Sequence, residues 1–184
     1  GVPRADGYSG DCDLRNKKNF RTRCSALIKF NDQNILIDTS PDLRSQLLQN
    51  KIKSISKVFY THLHADQTHG INDLRPFFLI NKKQIPVYAD SDTKKYLLST
   101  FKYCFKSSYG YPSTLNINTL KKVHEFTNKD KKIKIESIPV QHGNIKSICY
   151  LINNKLAYAS DISLFFKKDY KKLKNLKYLI IDGL

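Results

Sequence analysis

Short apolar runs recur along the chain between polar turns, and their spacing predicts strands interleaved with amphipathic helices. The segments with strand-like patterns are 24–30, 33–40, 56–61, 85–90, 132–140, 146–153, 155–161 and 177–182. The segments with helical spacing of apolar residues are 40–52, 71–81, 92–105 and 165–176. Because helices and strands alternate without a strict βαβ rhythm and some strands form hairpins, the pattern favours a layered α/β fold with mixed sheets.

Turn-forming residues mark the places where neighbouring strands connect. Asn31 with Asp32, and Asn153 with Asn154, each predict a tight turn that closes a hairpin. Between 107 and 123 the periodicity weakens around the letters SSYGYPSTLN, which predicts a loop over a cleft. The tyrosines of this segment could equally pack inward.

The segment 40–52 has the composition of a helix start. Ser40 is expected to cap the helix, and Pro41 is expected at the first helical position, where a missing N–H leaves no bond unmade. Leu43, Leu47 and Leu48 are expected to form its buried stripe.

Length and composition describe one globular domain over 1–184. With 40% hydrophobic and 26% charged residues, 184 residues are enough to bury a core. No apolar run reaches the roughly 20 residues that cross a bilayer, and the first residues lack the apolar core of a secretory signal. The four cysteines have no C-x-x-C spacing, which favours reduced thiols in a cytoplasmic protein without a membrane partner.

The chain is strongly basic, with a net charge of +16, and only six of its 32 cationic residues are arginines. A dedicated nucleic-acid reader usually relies on Arg for bidentate contacts, so the lysines are interpreted as solvated faces. Their positive field would still attract anionic substrates. A purely Lys-rich nucleic-acid module is disfavoured because no recognition helix or aromatic platform is present in the pattern.

The segment THLHADQTHGINDLRP follows an apolar strand and has the composition of a metal site. His62 and His64 are two residues apart, so both imidazoles point to the same side of an extended segment and can reach one cation. Asp66 can supply an oxygen ligand to the same cation or to a neighbouring one. His142 and Asp161 also follow short apolar strands, and sites are usually built at strand ends.

The run THLHADQTHGINDLR resembles the H-x-H-x-D-H signature of the metallo-β-lactamase fold superfamily, and its THGINDLR part looks like the PhnP-like phosphodiesterase branch. Other landmarks follow in the family's order: GVPR at the start, Asp38 in ILIDTSPDLR, His142 in QHGN and Asp161 in YASDIS. The resemblance covers essentially the whole chain. It implies an αββα four-layer sandwich with the metal site at one edge between the two sheets.

By this resemblance, His62, His64 and His142 hold a first metal ion, and Asp161 reaches that ion and bridges to a second. Asp66 binds the second ion and is the candidate catalytic carboxylate. The family commonly uses Zn or Mn, and imidazole and carboxylate ligands suit both ions. The chemistry that the resemblance implies is hydrolysis by metal-activated hydroxide.

Asp38 and His69 are expected beside this site, and His124 is expected away from it. Asp38 is expected to accept a hydrogen bond that fixes the tautomer of a ligand histidine, or else to cap the next helix. His69 could replace a missing imidazole, although a hydrogen-bonding or helix-capping role behind the site is favoured. His124 has no motif context and is expected at the surface.

The chain departs from the family pattern in two ways. Gln67 occupies the position of the fourth motif histidine, and an amide binds such metals far more weakly than imidazole does. The chain also ends at Leu184, 23 residues after Asp161, before the family's last histidine ligand is reached, and it contains no Met. We therefore expect a domain truncated at both ends, with one ion bound and the second site impaired.

The sequence thus predicts a metal-dependent hydrolase of small or cyclic phosphodiesters. An impaired family member with one metal or none is the non-catalytic alternative, and RNA processing of the tRNase Z type is the enzymatic one. β-Lactam hydrolysis is disfavoured because the lactamase ligand pattern differs. A homodimer is compatible with the sequence, which does not determine the oligomeric state.

Overall fold

A computed structural model describes residues 2–182, which fold into two five-stranded sheets. The strands of the first sheet are β1 (Ala26–Phe30), β2 (Gln33–Ile37), β3 (Lys57–Phe59), β4 (Ile85–Ala89) and β5 (Leu115–Thr119). Those of the second are β6 (Val123–Asn128), β7 (Lys131–His142), β8 (Ile145–Ile152), β9 (Leu156–Ala159) and β10 (Tyr178–Ile181). The α-helices are α1 (Leu43–Gln49), α2 (Ala65–Thr68), α3 (Arg75–Asn81), α4 (Ser91–Thr100) and α5 (Lys102–Phe105). Short 3-10 helices cover Lys17–Asn19, Ile71–Leu74 and Lys167–Leu173.

The first sheet has the order β1-β2-β3-β4-β5 and is parallel apart from the β1–β2 hairpin. The hairpin turns at Asn31, whose φ of 52° is one that Asn adopts more readily than most residues. Because the carboxyl ends of parallel strands meet at one edge, the segments that follow β2 and β3 emerge side by side. That edge carries Asp38 and the histidine-rich segment.

The second sheet has the order β10-β9-β8-β7-β6, antiparallel except for the parallel β9–β10 pair. Its longest strand, β7, ends at His142. The N–H of Ile148 in the adjacent β8 donates to the carbonyl of Thr61 at 3.0 Å, which joins this sheet to the edge of the first. His142 therefore arrives beside the segment that follows β3.

Three apolar cores hold the layers together. Helices α1, α3 and α4 cover the outer face of the first sheet, where Leu43, Leu74 and Leu97 are fully buried. Between the sheets, Ile35 and Phe59 share a core with residues of β7 and β8. The outer face of the second sheet is covered by residues 162–176, which include the 3-10 helix Lys167–Leu173. The αββα architecture is thus confirmed, with a 3-10 helix in place of an α-helix in the fourth layer.

The first predicted helix begins later than expected. Pro41 precedes it, Asp42 is its N-cap, and the Ser40 hydroxyl accepts the N–H of Asp42 at 3.2 Å instead of capping the helix. Leu43 is buried, whereas Leu48 is 62% exposed. Leu43 and Leu47 are four residues apart and share one face of the helix, whereas Leu48 is rotated about 100° from Leu47. The prediction that Leu48 belongs to the buried stripe was therefore wrong.

The segment 107–128 contains two strands that the sequence pattern did not predict. β5 alternates apolar and polar residues from Leu115 to Asn118, which is a strand-like pattern, but the run is short and begins inside the letters SSYGYPSTLN, which indicate a loop. In β6, His124 is only 7% exposed, so its expected surface position was wrong. Its ring packs against Phe59 and Tyr88, and its Nε2 accepts the N–H of Lys121 at 3.0 Å.

No helix between residues 2 and 182 combines the length and the apolar character that a membrane span requires.

Candidate metal centre

Three histidines converge at the edge shared by the two sheets. His62 and His64 follow β3, and His142 ends β7. His64 Nδ1 lies 3.1 Å from His62 Nε2 and 3.3 Å from His142 Nε2. All three ligating atoms lie within 4.8 Å of one another. Ligands about 2.1 Å from a tetrahedral ion lie about 3.4 Å apart, so the triad fits one such ion.

A hydrogen-bonded relay behind the triad sets the tautomer of His62. With Asp38 as a carboxylate, the Thr61 hydroxyl donates its single proton to Asp38 Oδ2 at 2.8 Å, and its oxygen then accepts from His62 Nδ1, 3.0 Å away. This leaves the Nε2 lone pair of His62 free for a metal ion. Burial, aided by the neighbouring imidazoles, lowers the pKa of His62 to about 4, which keeps the ring neutral as a metal ligand requires.

Asp38 is fully buried at the end of β2 and acts on the histidine through Thr61 rather than directly. Its other oxygen accepts the N–H of Thr61 at 2.7 Å. Burial raises the pKa of Asp38 well above its usual value, and the two bonds from Thr61 oppose this shift. Asp38 also has a φ of 61°, a left-handed conformation that is uncommon outside glycine.

Gln67 joins the two aspartates that were expected around a second ion. The side chain is fully buried, and its Nε2 donates to Asp66 Oδ2 at 3.1 Å and to Asp161 Oδ2 at 2.9 Å. Its Oε1 is also buried and has no hydrogen-bond partner among the described residues. Burial, and then the charge of Asp66, raise the pKa of Asp161.

This arrangement does not fit a second ion. An amide N–H₂ group donates hydrogen bonds and offers no lone pair to a metal, yet it lies between the two carboxylates. Among the described residues, Asp66 and Asp161 do not join the compact group formed by the three histidines. The residues present therefore provide one well-formed ion site and a neighbouring pair of carboxylates that an amide already bridges.

The segment 65–70 is fixed tightly against the end of β2. The N–H of Thr39 donates to the Gln67 carbonyl at 2.7 Å, and the N–H of Gly70 donates to the Thr39 carbonyl at 2.9 Å. A Cβ on Gly70 would lie 1.9 Å from the Ser40 carbonyl oxygen, so only glycine allows this close approach. The backbone thereby positions the motif that carries Asp66 and Gln67.

His69 does not join the triad. Its Nδ1 lies 3.2 Å from the carbonyl of Ala65, four residues earlier, and its ring packs edge-on against Phe101. The contacts are those of a residue that ends helix α2.

The relay through Thr61 is the feature that the sequence did not reveal. Asp38 and Thr61 are 23 residues apart, and the parallel register that pairs Ile37 with Phe59 brings them together. The available signal was that an Asp and a Thr directly follow two adjacent parallel strands. Ser147, whose Oγ lies 3.5 Å from His62 Nδ1, was also missed because it belongs to the other sheet.

Comparisons with known proteins agree with this geometry. The family model described as "Beta-lactamase superfamily domain" matches residues 33–184. A solved diphosphatase of the PhnP family superposes with a TM-score of 0.78 and 28% identity, covering 93% of this chain and 66% of that one. A ribonuclease Z of Prochlorococcus marinus is 29% identical over 150 residues, or 77% of this chain and 44% of the relative. An octanoyltransferase of Porphyromonas gingivalis is 28% identical over 185 residues, which span this whole chain and 37% of that protein.

The chain spans less than two thirds of the length of each of these relatives. The expected resemblance to the metallo-β-lactamase fold superfamily is confirmed, and the similarity to a PhnP-family structure agrees with the branch that the motif indicated. The family model matches most of the length of this chain, and the chain has two packed sheets. The chain therefore belongs to the family described as "Beta-lactamase superfamily domain".

Proposed function

We propose that this protein is a metal-dependent hydrolase of phosphodiesters that holds one ion through His62, His64 and His142. The observation that carries the proposal is the convergence of three imidazole nitrogens within 4.8 Å at the sheet edge. When bound there, the ion would supply Lewis acidity toward a phosphoryl oxygen and acidify a water molecule. Three imidazoles suit Zn²⁺ best, and Mn²⁺ is the alternative where carboxylate oxygens join them.

The residues around the triad have distinct tasks in this proposal. The Thr61 hydroxyl fixes the orientation of the His62 ring through its contact with Nδ1, and its bond to Asp38 holds the hydroxyl in place. Gln67 holds one oxygen of Asp66 and one of Asp161, which fixes both carboxylates beside the triad. We propose that Asp161 orients the attacking water with the oxygen that Gln67 does not hold, Oδ1, and that the Asp66 carboxylate helps to orient the same water.

We propose a single ion because Gln67 uses the two carboxylates that a second ion would need. The same observation favours the alternative of an impaired family member, in which the fold is kept and turnover is lost.

Phosphodiesters are the proposed substrates on two grounds. The relatives' names, a PhnP-family diphosphatase and ribonuclease Z, both refer to cleavage of bonds to phosphorus. The net charge of +16 also favours anionic substrates of this kind. Small or cyclic phosphodiesters are the minimal substrates, and RNA is the second candidate. We place the protein in the cytoplasm because its four cysteines are all free thiols.

Metal stoichiometry measured together with turnover tests the proposal. The unaltered protein, Gln67→His and His142→Ala would be loaded with Zn²⁺ or Mn²⁺, dialysed and analysed by ICP mass spectrometry. Each would then be assayed on bis-(p-nitrophenyl) phosphate. We expect one ion and metal-dependent turnover in the unaltered protein, a second ion in Gln67→His, and loss of the ion in His142→Ala. One ion without turnover would support the impaired member instead, and two ions in the unaltered protein would overturn the single-ion proposal.

A further inference from the structure

A basic cavity opens along the free edge of β7, next to the metal-bearing edge. β6 pairs with β7 only as far as Glu136. Beyond that point the Ser137 N–H is bonded to the carbonyl of Lys122, and Gln141 is bonded to Leu164. Pro139 lies between them and has no N–H, so no further strand is recruited there. The space left beside it is a cavity of about 580 Å³.

The charges that line this cavity are unbalanced. Its walls carry Lys121, Lys122, Lys168, Lys172, Asp90 and Asp169. Lys172 makes ion pairs of 2.7 Å to Asp169 and 3.1 Å to Glu136. The lining side chains thus comprise four lysines and two aspartates, a net charge of +2, and Lys121, Lys122 and Lys168 take part in no ion pair among the described residues.

Both aspartates are engaged: Asp169 Oδ1 pairs with Lys172, and Asp90 Oδ1 caps helix α4 by accepting the N–H of Thr93 at 2.9 Å. The remaining lysine side chains, of residues 121, 122 and 168, are exposed and able to follow a ligand. A cavity of this shape and charge favours an anionic group, with several ammonium donors available to its oxygens.

The cavity and the histidine triad lie on the same structural elements. Pro139 in the cavity wall is three residues before His142, a separation of about 10 Å along a strand. Ile148, also in the wall, donates its N–H to Thr61, and the preceding Ser147 approaches His62. An extended ligand could therefore reach both places at once.

We propose that this cavity is a phosphate-binding subsite, in which Lys121, Lys122 and Lys168 hold a second phosphate of the substrate beside the phosphate that is cleaved at the histidine triad. This deepens the proposed function and rests on it. The substrate class that it selects is a short single-stranded oligonucleotide, in preference to an isolated phosphodiester that cannot span the two places.

The test compares Lys121→Gln/Lys122→Gln with the matched control Lys131→Gln/Lys132→Gln, whose side chains are exposed at the opposite end of β7. Glutamine keeps the local fold because the contacts of Lys121 and Lys122 with His124 and Ser137 use the backbone. Fluorescence anisotropy would follow binding of a labelled hexauridylate to metal-free protein over a range of salt concentrations.

We expect the subsite variant to lose about tenfold in affinity and to show a salt slope shallower by about one, whereas the control loses about twofold or less. Equal losses in both variants would show a general field and overturn the subsite, as would no loss in either. Thermal melting shows that each variant is folded.

Turnover of bis-(p-nitrophenyl) phosphate separates this inference from the proposed function. If the unaltered protein turns over this diester but the subsite variant binds hexauridylate normally, only the subsite is refuted. If the subsite variant loses its affinity while no metal-loaded protein turns over either the diester or hexauridylate, the subsite stands and the hydrolase proposal fails.

Discussion

Replacing Thr61 with Val tests the relay that orients His62. The change keeps the shape of the side chain and removes the hydroxyl, so Asp38 Oδ2 and His62 Nδ1 both lose their partner in a buried site. The lost bond to the carboxylate is 2.8 Å long and contributes about 1.5–3 kcal/mol to the free energy of unfolding. Ser147, at 3.5 Å from His62 Nδ1, offers only a weak replacement.

The same variant should bind metal less tightly. Residues that orient a ligand histidine typically contribute 10- to 100-fold to metal affinity, which corresponds to about 1.4–2.7 kcal/mol. Competition with a chromophoric chelator measures the dissociation constant for Zn²⁺, and urea unfolding of the metal-free protein measures stability. Nitrogen-15 spectra of the histidine rings report the tautomer of His62 directly, and we expect a loss of the Nδ1–H form in Thr61→Val.

Thr61→Ser is the matched control, because it keeps the hydroxyl and removes only a methyl group. It should retain the tautomer and most of the metal affinity. The reasoning would be refuted if Thr61→Val bound Zn²⁺ within twofold of the unaltered protein, or if Val and Ser weakened binding equally.

Two further predictions concern stability. Gly70→Ala would place a Cβ 1.9 Å from the Ser40 carbonyl, and the forced displacement should lower the free energy of unfolding by about 1–3 kcal/mol in urea; an unchanged midpoint would contradict the close approach. Burial, and then Lys121, lower the pKa of His124, so the unfolded chain takes up its proton first and stability falls as the pH drops below about 6.5. Tyr88, whose ring packs on His124, stays uncharged in this pH range. In the metal-free state, His124→Gln should therefore lose less stability between pH 7.5 and 5 than the unaltered protein does. Equal losses would refute the role given to His124.

The fold was largely predictable because most strands carry their pattern locally. The hairpin at Asn31, the helices on the first sheet and the apolar runs of β7 to β9 all follow from spacing and turn residues. β5 was missed although its residues alternate, because the run is short and begins inside the letters SSYGYPSTLN, which indicate a loop. His124 was misplaced for a different reason, since its burial depends on Phe59 and Tyr88, which are distant in sequence.

The candidate site, too, was predictable only in part from the sequence. Histidines two residues apart after a strand indicate a ligand pair without any tertiary information. How Asp38 acts on His62, and how Gln67 connects Asp66 with Asp161, depends on side chains brought together from separate elements of the fold. Gln67 and Asp161, for example, are 94 residues apart. The residue types predicted a weakened second metal position, but only the structure shows an amide hydrogen-bonded to both carboxylates.

The amide bridge of Gln67 also bears on product release. Where a second dication would neutralise Asp66 and Asp161, a neutral amide leaves their negative charge in place. Hydrolysis of a phosphodiester converts an anion of charge −1 into a monoester that carries nearly two negative charges at neutral pH, because its second pKa is about 6. In the proposed phosphodiester hydrolysis, repulsion from the two carboxylates should therefore expel the monoester faster than it expels the diester. Cleavage would then stop after one bond, with product inhibition weaker in the unaltered protein than in Gln67→His.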